Sequence, residues 1–147
     1  MNIKQLNILL ADDDEDDRYF FDRALKEIPI STCLTTVYDG EQLMNYLSEN
    51  SENLPDVLFL DINMPRKNGF NCLSEIKHNK TLQDINVVMF STTNSQDAIT
   101  MLFKGGAQVY IHKPNDFKQL IEVINHALPI ASEKIFSTGQ IKYILNA

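Results

Sequence analysis

The sequence predicts an alternating α/β domain: a doubly wound, five-stranded parallel sheet with helices on both faces. Two observations carry this. First, five short apolar runs are each followed by a stretch with helical spacing of apolar residues, the pattern of β-then-α units packed into a parallel sheet. Second, the runs do not alternate polar with apolar. Val57-Leu58-Phe59-Leu60 is the clearest, four apolar residues in a row, as in a strand buried on both faces. Right-handed crossovers then wind the sheet in both directions.

Asn7–Ala11 is the first run, closed by six consecutive acids, Asp12 to Asp17. Phe21, Ala24, Leu25 and Ile28 follow at i, i+3, i+4, i+7, one face of a helix that Pro29 stops. Cys33–Val37 is a short, β-branched second strand. Asp39-Gly40 turns the chain into a helix marked by Leu43, Met44 and Leu47. Val57–Leu60 is the third strand. Asn68-Gly69 turns into a helix with Phe70, Leu73 and Ile76 inward. Val87–Phe90 is the fourth strand, followed by a helix that Ser95 caps and Gly105-Gly106 ends, with Ala98, Met101, Leu102 and Gly105 on one face. Val109–Ile111 is the fifth strand. Asn115 or Asp116 caps the last helix, where Phe117, Leu120, Ile121, Ile124 and Leu128 repeat and Pro129 interrupts. Residues 1–129 thus make one domain. Residues 130–147, with Ile135, Phe136, Ile141, Tyr143, Ile144 and Leu145, are too apolar for a solvated tail. They are expected to form an ordered extension, either helical or at an interface.

Length and composition narrow the function. A chain of 147 residues, 44% hydrophobic and 22% charged, suits one soluble domain with a real core. No apolar run approaches a membrane span, and Met1–Gln5 do not begin a signal peptide, so a cytoplasmic protein without a membrane partner is expected. A net charge of −7 with no basic cluster excludes a nucleic-acid footprint. Cys33 and Cys72 have no metal or redox spacing and are expected as small buried apolar side chains. His78, His112 and His126 are expected as ordinary surface or boundary residues.

The polar residues at the strand ends carry the chemistry. Strand one ends in Asp12 and Asp13, strand three in Asp61, strand four in Ser91 and Thr92, and strand five in Lys113. In a parallel sheet all of these project from one edge, the carboxyl edge where open α/β sheets bind ligands. Three carboxylates in one crevice repel, so without help at least one pKa rises. A divalent cation resolves this, and hard oxygen ligands without His or Cys favour Mg²⁺. Lys113 adds a positive charge and Ser91 a hydroxyl. Together these groups are suited to the oxygens of a phosphoryl group, with Asp61 as its nucleophile.

These residues resemble, in order and spacing, a response-regulator receiver domain of two-component signalling, of the single-domain chemotaxis-regulator kind. The motifs are Asp12-Asp13, then Asp61-Ile62-Asn63-Met64-Pro65 with Gly69 eight residues after Asp61, Ser91 at thirty and Lys113-Pro114 at fifty-two. The resemblance spans roughly Gln5 to Leu128. It implies a flavodoxin-like sheet of order 2-1-3-4-5. It implies Asp61 as phosphoacceptor, Asp13 on the metal directly, Asp12 through water, and Asn63 through its backbone carbonyl. Ser91 and Lys113 would hold the phosphoryl oxygens, Tyr110 would be the switch aromatic, and the Lys113-Pro114 bond would be cis, as it often is in the family. The implied partners are a sensor histidine kinase or phosphotransfer protein and a downstream protein target, with a homodimer as a further option. The activity would be a phosphorelay step rather than turnover, limited to self-phosphorylation and self-dephosphorylation. The output would be a changed surface of helix four, strand five and helix five, with no attached output domain.

Two departures from the family pattern stand out. Position 92, usually Ala or Gly, is Thr, which narrows access to the phosphoryl group. The acidic run continues through Asp14, Glu15, Asp16 and Asp17, read as a negative first turn favoured by the helix dipole.

Rival readings fare worse. A calcium loop over Asp12–Asp17 needs Gly at its sixth position and Glu at its twelfth; Asp17 and Arg23 stand there. A dehalogenase-type phosphatase needs a second acid two residues after its nucleophile, where this chain has Asn63. A flavodoxin needs a Ser/Thr/Gly-rich loop after strand one, where this chain has acids. An adaptor of the same fold, binding without phosphorylation, would not need the full set Asp12, Asp13, Asp61, Ser91 and Lys113.

Overall fold

The computed structural model describes residues 5–132 and 143–145. The chain alternates β1 (Leu6–Ala11), α1 (Glu15–Lys26), β2 (Thr32–Val37), α2 (Gly40–Glu49), β3 (Val57–Leu60), α3 (Gly69–Lys77), β4 (Asn86–Ser91), α4 (Gln96–Lys104), β5 (Val109–His112), α5 (Phe117–Ser132) and β6 (Tyr143–Leu145). All strand pairs are parallel, in the order β2-β1-β3-β4-β5-β6. The expected order 2-1-3-4-5 is present, extended by one edge strand from the C-terminal segment.

The sheet has two covered faces. Phe21, Ala24 and Leu25 of α1 pack with Leu120, Val123, Ile124 and Leu128 of α5 on one side. Leu43 and Leu47 of α2, Leu73 and Ile76 of α3, and Ile99 and Leu102 of α4 pack on the other. This explains the unbroken apolar runs, since Val57 to Leu60 are all fully buried. Side-chain caps start the helices. Asp14, Asp39, Asn68 and Ser95 accept hydrogen bonds from the backbone N–H three residues on, satisfying donors that a helix start leaves open.

Five expectations need correction. Pro129 does not interrupt the last helix but sits inside α5. It is exposed there while Ala127, Leu128 and Ala131 are buried, and their packing offsets the roughly 3 kcal/mol that an interior proline costs. In α4 the buried residues are Ile99 and Leu102, whereas Met101 is 62% exposed. Ile28 is buried but lies beyond the end of α1 at Lys26. Cys33 is exposed, because β2 is an edge strand with little over it; Cys72 is buried, and burial pushes its thiol up to about 11. The Lys113-Pro114 bond is trans, as the described residues contain no cis peptide; trans is favoured by about 0.5–1 kcal/mol before any tertiary constraint.

The sixth strand changes the topology. From β1 to β2 the chain steps one way with α1 on the first face. From β2 to β3, β3 to β4 and β4 to β5 it steps the other way with helices on the second face. These four crossovers share one hand. From β5 to β6 the step continues outward, with α5 on the first face beside α1. Residues 133–142, including Ile135, Phe136 and Ile141 of the expected extension, lie outside the described residues.

Candidate functional site

The sheet register fixes what shares the carboxyl edge. Ala11 pairs with Leu60, Leu60 with Met89, and Met89 with Tyr110. One row further along come Asp12 and Asp61, then Asp13 and Ser91, with Thr92 and Lys113 beyond. The strand ends thus converge as the sequence spacing predicts.

Asp12 is fully buried and Asp61 is 6% exposed, whereas Asp13 is exposed. Oxygens of these three carboxylates lie within 4.8 Å of one another. Asp12 Oδ1 accepts from the Asp14 backbone N–H at 3.0 Å, and Asp61 Oδ1 from that of Ile62 at 2.8 Å. Lys113 reaches in from the end of β5. Its Nζ lies 2.8 Å from Asp12 Oδ2, 2.9 Å from Asp17 Oδ2 and 3.3 Å from Asp61 Oδ2. Lys113 is the ion-pair partner of this buried Asp12 oxygen, and among the described residues no other donor reaches it.

The electrostatics follow from this packing. Burial raises the Asp12 carboxyl to about 6, against the pull of Lys113. Asp61 is raised too, again chiefly by burial, while Lys113 and the Ile62 and Asn63 backbone N–H groups hold it down. Like-charge repulsion, the expected cause, is only a minor one for Asp12. For Lys113, burial opposes the charge, but Asp12, Asp61 and Asp17 outweigh it and raise the ammonium pKa. Asp12, Asp13 and Asp61 against one lysine leave two excess negative charges, all on hard oxygen donors. That is a donor set suited to a divalent cation.

The remaining expected residues sit around this cluster. Ser91 is fully buried, with Oγ 3.4 Å from the Thr93 N–H that it accepts from. Thr92 and Asn63 are exposed at the mouth. Tyr110 is buried and donates its hydroxyl to the Thr93 carbonyl at 2.7 Å, so its ring already points inward. Gly69 sits where a methyl group would run into the Asp61 carbonyl, and its N–H donates to the Ile62 carbonyl at 2.8 Å. Arg66, in the loop between Pro65 and Gly69, takes a positive φ of 70°, a conformation costly for a residue with a Cβ.

Two residues escaped the sequence reading. Asp17 belongs to the Lys113 contacts, not only to the helix dipole. Arg18 donates to the Asp12 carbonyl at 2.8 Å and lies over the Tyr38 ring. Asp17 reaches Lys113 across 96 residues of chain, and no local spacing signals that contact.

A parallel sheet presenting clustered carboxylates and an ion-paired lysine at its carboxyl edge defines a class of α/β signalling domains. The chain belongs to the response regulator receiver domain family, whose model matches residues 8–125. It is 30% identical over 121 residues to the response regulator Rcp1 of Synechocystis sp., covering 80% of this chain and 82% of that one. The phosphorylated cyanobacterial phytochrome response regulator RcpA superposes with a TM-score of 0.80 at 30% identity, over 87% of this chain and 94% of that one. The Mn²⁺-bound form of Rcp1 superposes with a TM-score of 0.75 at 30% identity, over 82% and 90%. Among the described residues, no helix is long and apolar enough to cross a membrane.

Proposed function

We propose that this receiver accepts a phosphoryl group on Asp61 from a sensor histidine kinase or phosphotransfer protein. The observation that carries the reading is the convergence of Asp12, Asp13 and Asp61 at one sheet edge, with the Lys113 ammonium on Asp12 and Asp61. An Asp61 carboxylate oxygen attacks phosphorus, the bond from phosphorus to the donor breaks, and the leaving group departs with that electron pair. Lys113 holds one oxygen of the transferring group, and the Ser91 hydroxyl donates to another.

The Asp12, Asp13 and Asp61 carboxylates and the Asn63 carbonyl would hold Mg²⁺, which supplies charge neutralisation at the phosphoryl oxygens. The three carboxylates within 4.8 Å of one another, with Asp12 Oδ2 buried and reached among the described residues by no donor besides Lys113, support that assignment. The Mn²⁺-bound form of Rcp1 supports it from outside. Thr92 at the mouth tunes access.

The output is a population shift in the surface of α4, β5 and α5, which a downstream protein or a second copy reads. Tyr110 is already inside, tied to Thr93. Ser91, drawn toward the phosphoryl group, therefore moves the Ser91–Thr93 segment with the ring attached. The receiver unit spans residues 1–129, residues 130–147 are its extension, and the cytoplasm is the site of action.

Incubation with acetyl phosphate and Mg²⁺ tests this. Intact mass should rise by one phosphoryl group, and the rise should vanish in chelator. An unchanged mass with the cation present would overturn the reading. Equal partner affinity with and without beryllofluoride would favour the phosphorylation-independent adaptor instead.

A further inference from the structure

The Lys113 ammonium carries three N–H donors, and three aspartate oxygens surround it. The longest of the three contacts, at 3.3 Å, is the one to Asp61. Asp17 is closer, at 2.9 Å, and comes from α1 rather than from a strand end. It takes no part in the Asp12, Asp13 and Asp61 cluster. We infer that Asp17 is a positioning residue: in the resting protein it draws Lys113 away from Asp61 and competes with the incoming phosphoryl oxygens for the same ammonium. This rests on the reading of Asp61 as the acceptor.

The competition follows from where the ammonium is held. As Asp61 attacks, negative charge grows on the phosphoryl oxygens, and Lys113 must give an N–H to one of them. Apart from the reacting Asp61, the ammonium is held by Asp12 and Asp17, and to move toward the phosphoryl oxygens it must loosen one of these two contacts. Asp12 cannot yield cheaply. Its side chain is fully buried, and losing the ammonium would strand a carboxylate without solvent. The Asp17 side chain is 40% exposed, so water takes over when the ammonium turns away. Asp17 is therefore the partner that releases Lys113. Until it does, it withholds a donor from the reacting group, which slows the forward step. The acid next to it in the run has no such role: Asp16 is exposed and lies outside the Lys113 contacts.

The test compares initial rates of phosphate incorporation from radiolabelled acetyl phosphate, over a range of donor concentrations with Mg²⁺ saturating. The chains are wild type, Asp17→Asn, Asp17→Glu and Asp16→Asn. Asp17→Asn should raise the maximal rate roughly two- to fivefold, the worth of a partly exposed ion pair. Asp17→Glu, which can still reach Lys113, should keep the slow wild-type rate. Asp16→Asn removes the same charge without touching Lys113 and should change nothing. A helix-capping or purely structural role for Asp17 would not make labelling faster.

The inference is overturned if Asp17→Asn labels no faster than wild type. It is also overturned if the gain is confined to KM, or if Asp16→Asn accelerates equally, since either result means relief of general repulsion toward an anionic donor. Absence of label on all four chains would overturn the reading of Asp61, and this inference with it.

Discussion

Asp12 meets two opposing demands. Full burial favours its protonated form and raises it to about 6, while the Lys113 ammonium favours the carboxylate. A carboxyl raised in the folded state adds stability below its ordinary value of 3.8, and that stability is lost as pH climbs through about 6. Above that pH the metal-free protein carries an unfavourable buried charge, which a divalent cation relieves. Cation binding needs Asp12 deprotonated, so protons compete below about 6. Mg²⁺ should therefore raise the thermal midpoint strongly near neutral pH and progressively less as pH falls through that value. A scan of melting temperature with and without Mg²⁺ checks this, and a shift constant down to about pH 5 would contradict it. At this scale the sequence was legible wherever spacing alone places a side chain. Asp12, Asp13, Asp61, Ser91 and Lys113 all fall at strand ends, so a parallel register suffices to gather them. Asp17 was not legible, because its contact depends on how α1 docks against the β5–α5 connection. An acid in a first turn already has an ordinary explanation in the helix dipole.

Among the elements, strands read more cleanly than helix faces. Val57–Leu60 matches β3 residue for residue, because a run buried on both faces has no register to misjudge. The α4 face was misjudged. Ala98, Met101 and Leu102 fit a helical stripe, but so do Ile99 and Leu102, and only packing against the sheet chooses between them. Leu102→Ala should destabilise by about 2–5 kcal/mol, as truncation of a fully buried leucine does, whereas Met101→Ala should stay within about 0.5 kcal/mol. Urea denaturation of both variants checks the assignment, and equal effects would contradict the observed face. The turn into α3 gives a second prediction. A methyl group at Gly69 would meet the Asp61 carbonyl and the Ile62 Cα, so Gly69→Ala should cost about 1–3 kcal/mol and displace the Asp61 loop. The same denaturation assay reads the loss, and a Gly69→Ala chain as stable as wild type would refute the close approach.

For the molecule as a whole, the doubly wound fold was legible from β-then-α alternation, and its limit shows at β6. Composition marked the C-terminal segment as too apolar for a solvated tail. Nothing in three residues, Tyr143–Leu145, signals that they extend the sheet at its β5 edge. Among the described residues, the helices that cover both faces end at Ser132. A chain ending at Ser132 should therefore still unfold cooperatively, with its thermal midpoint within about 4 °C of the full chain, equivalent to about 1 kcal/mol. Calorimetry decides, and loss of the transition would make β6 part of the folding unit.

The central claim is that Asp61 receives the phosphoryl group, with Asp12, Asp13, Ser91 and Lys113 arranged to serve it. The most direct test is acid-labile phosphate incorporation from a kinase or small phosphodonor, measured on wild type and on Asp61→Asn with Mg²⁺ present. The account predicts labelling of the wild type in proportion to protein and none on Asp61→Asn. Labelling that persists in Asp61→Asn would contradict it.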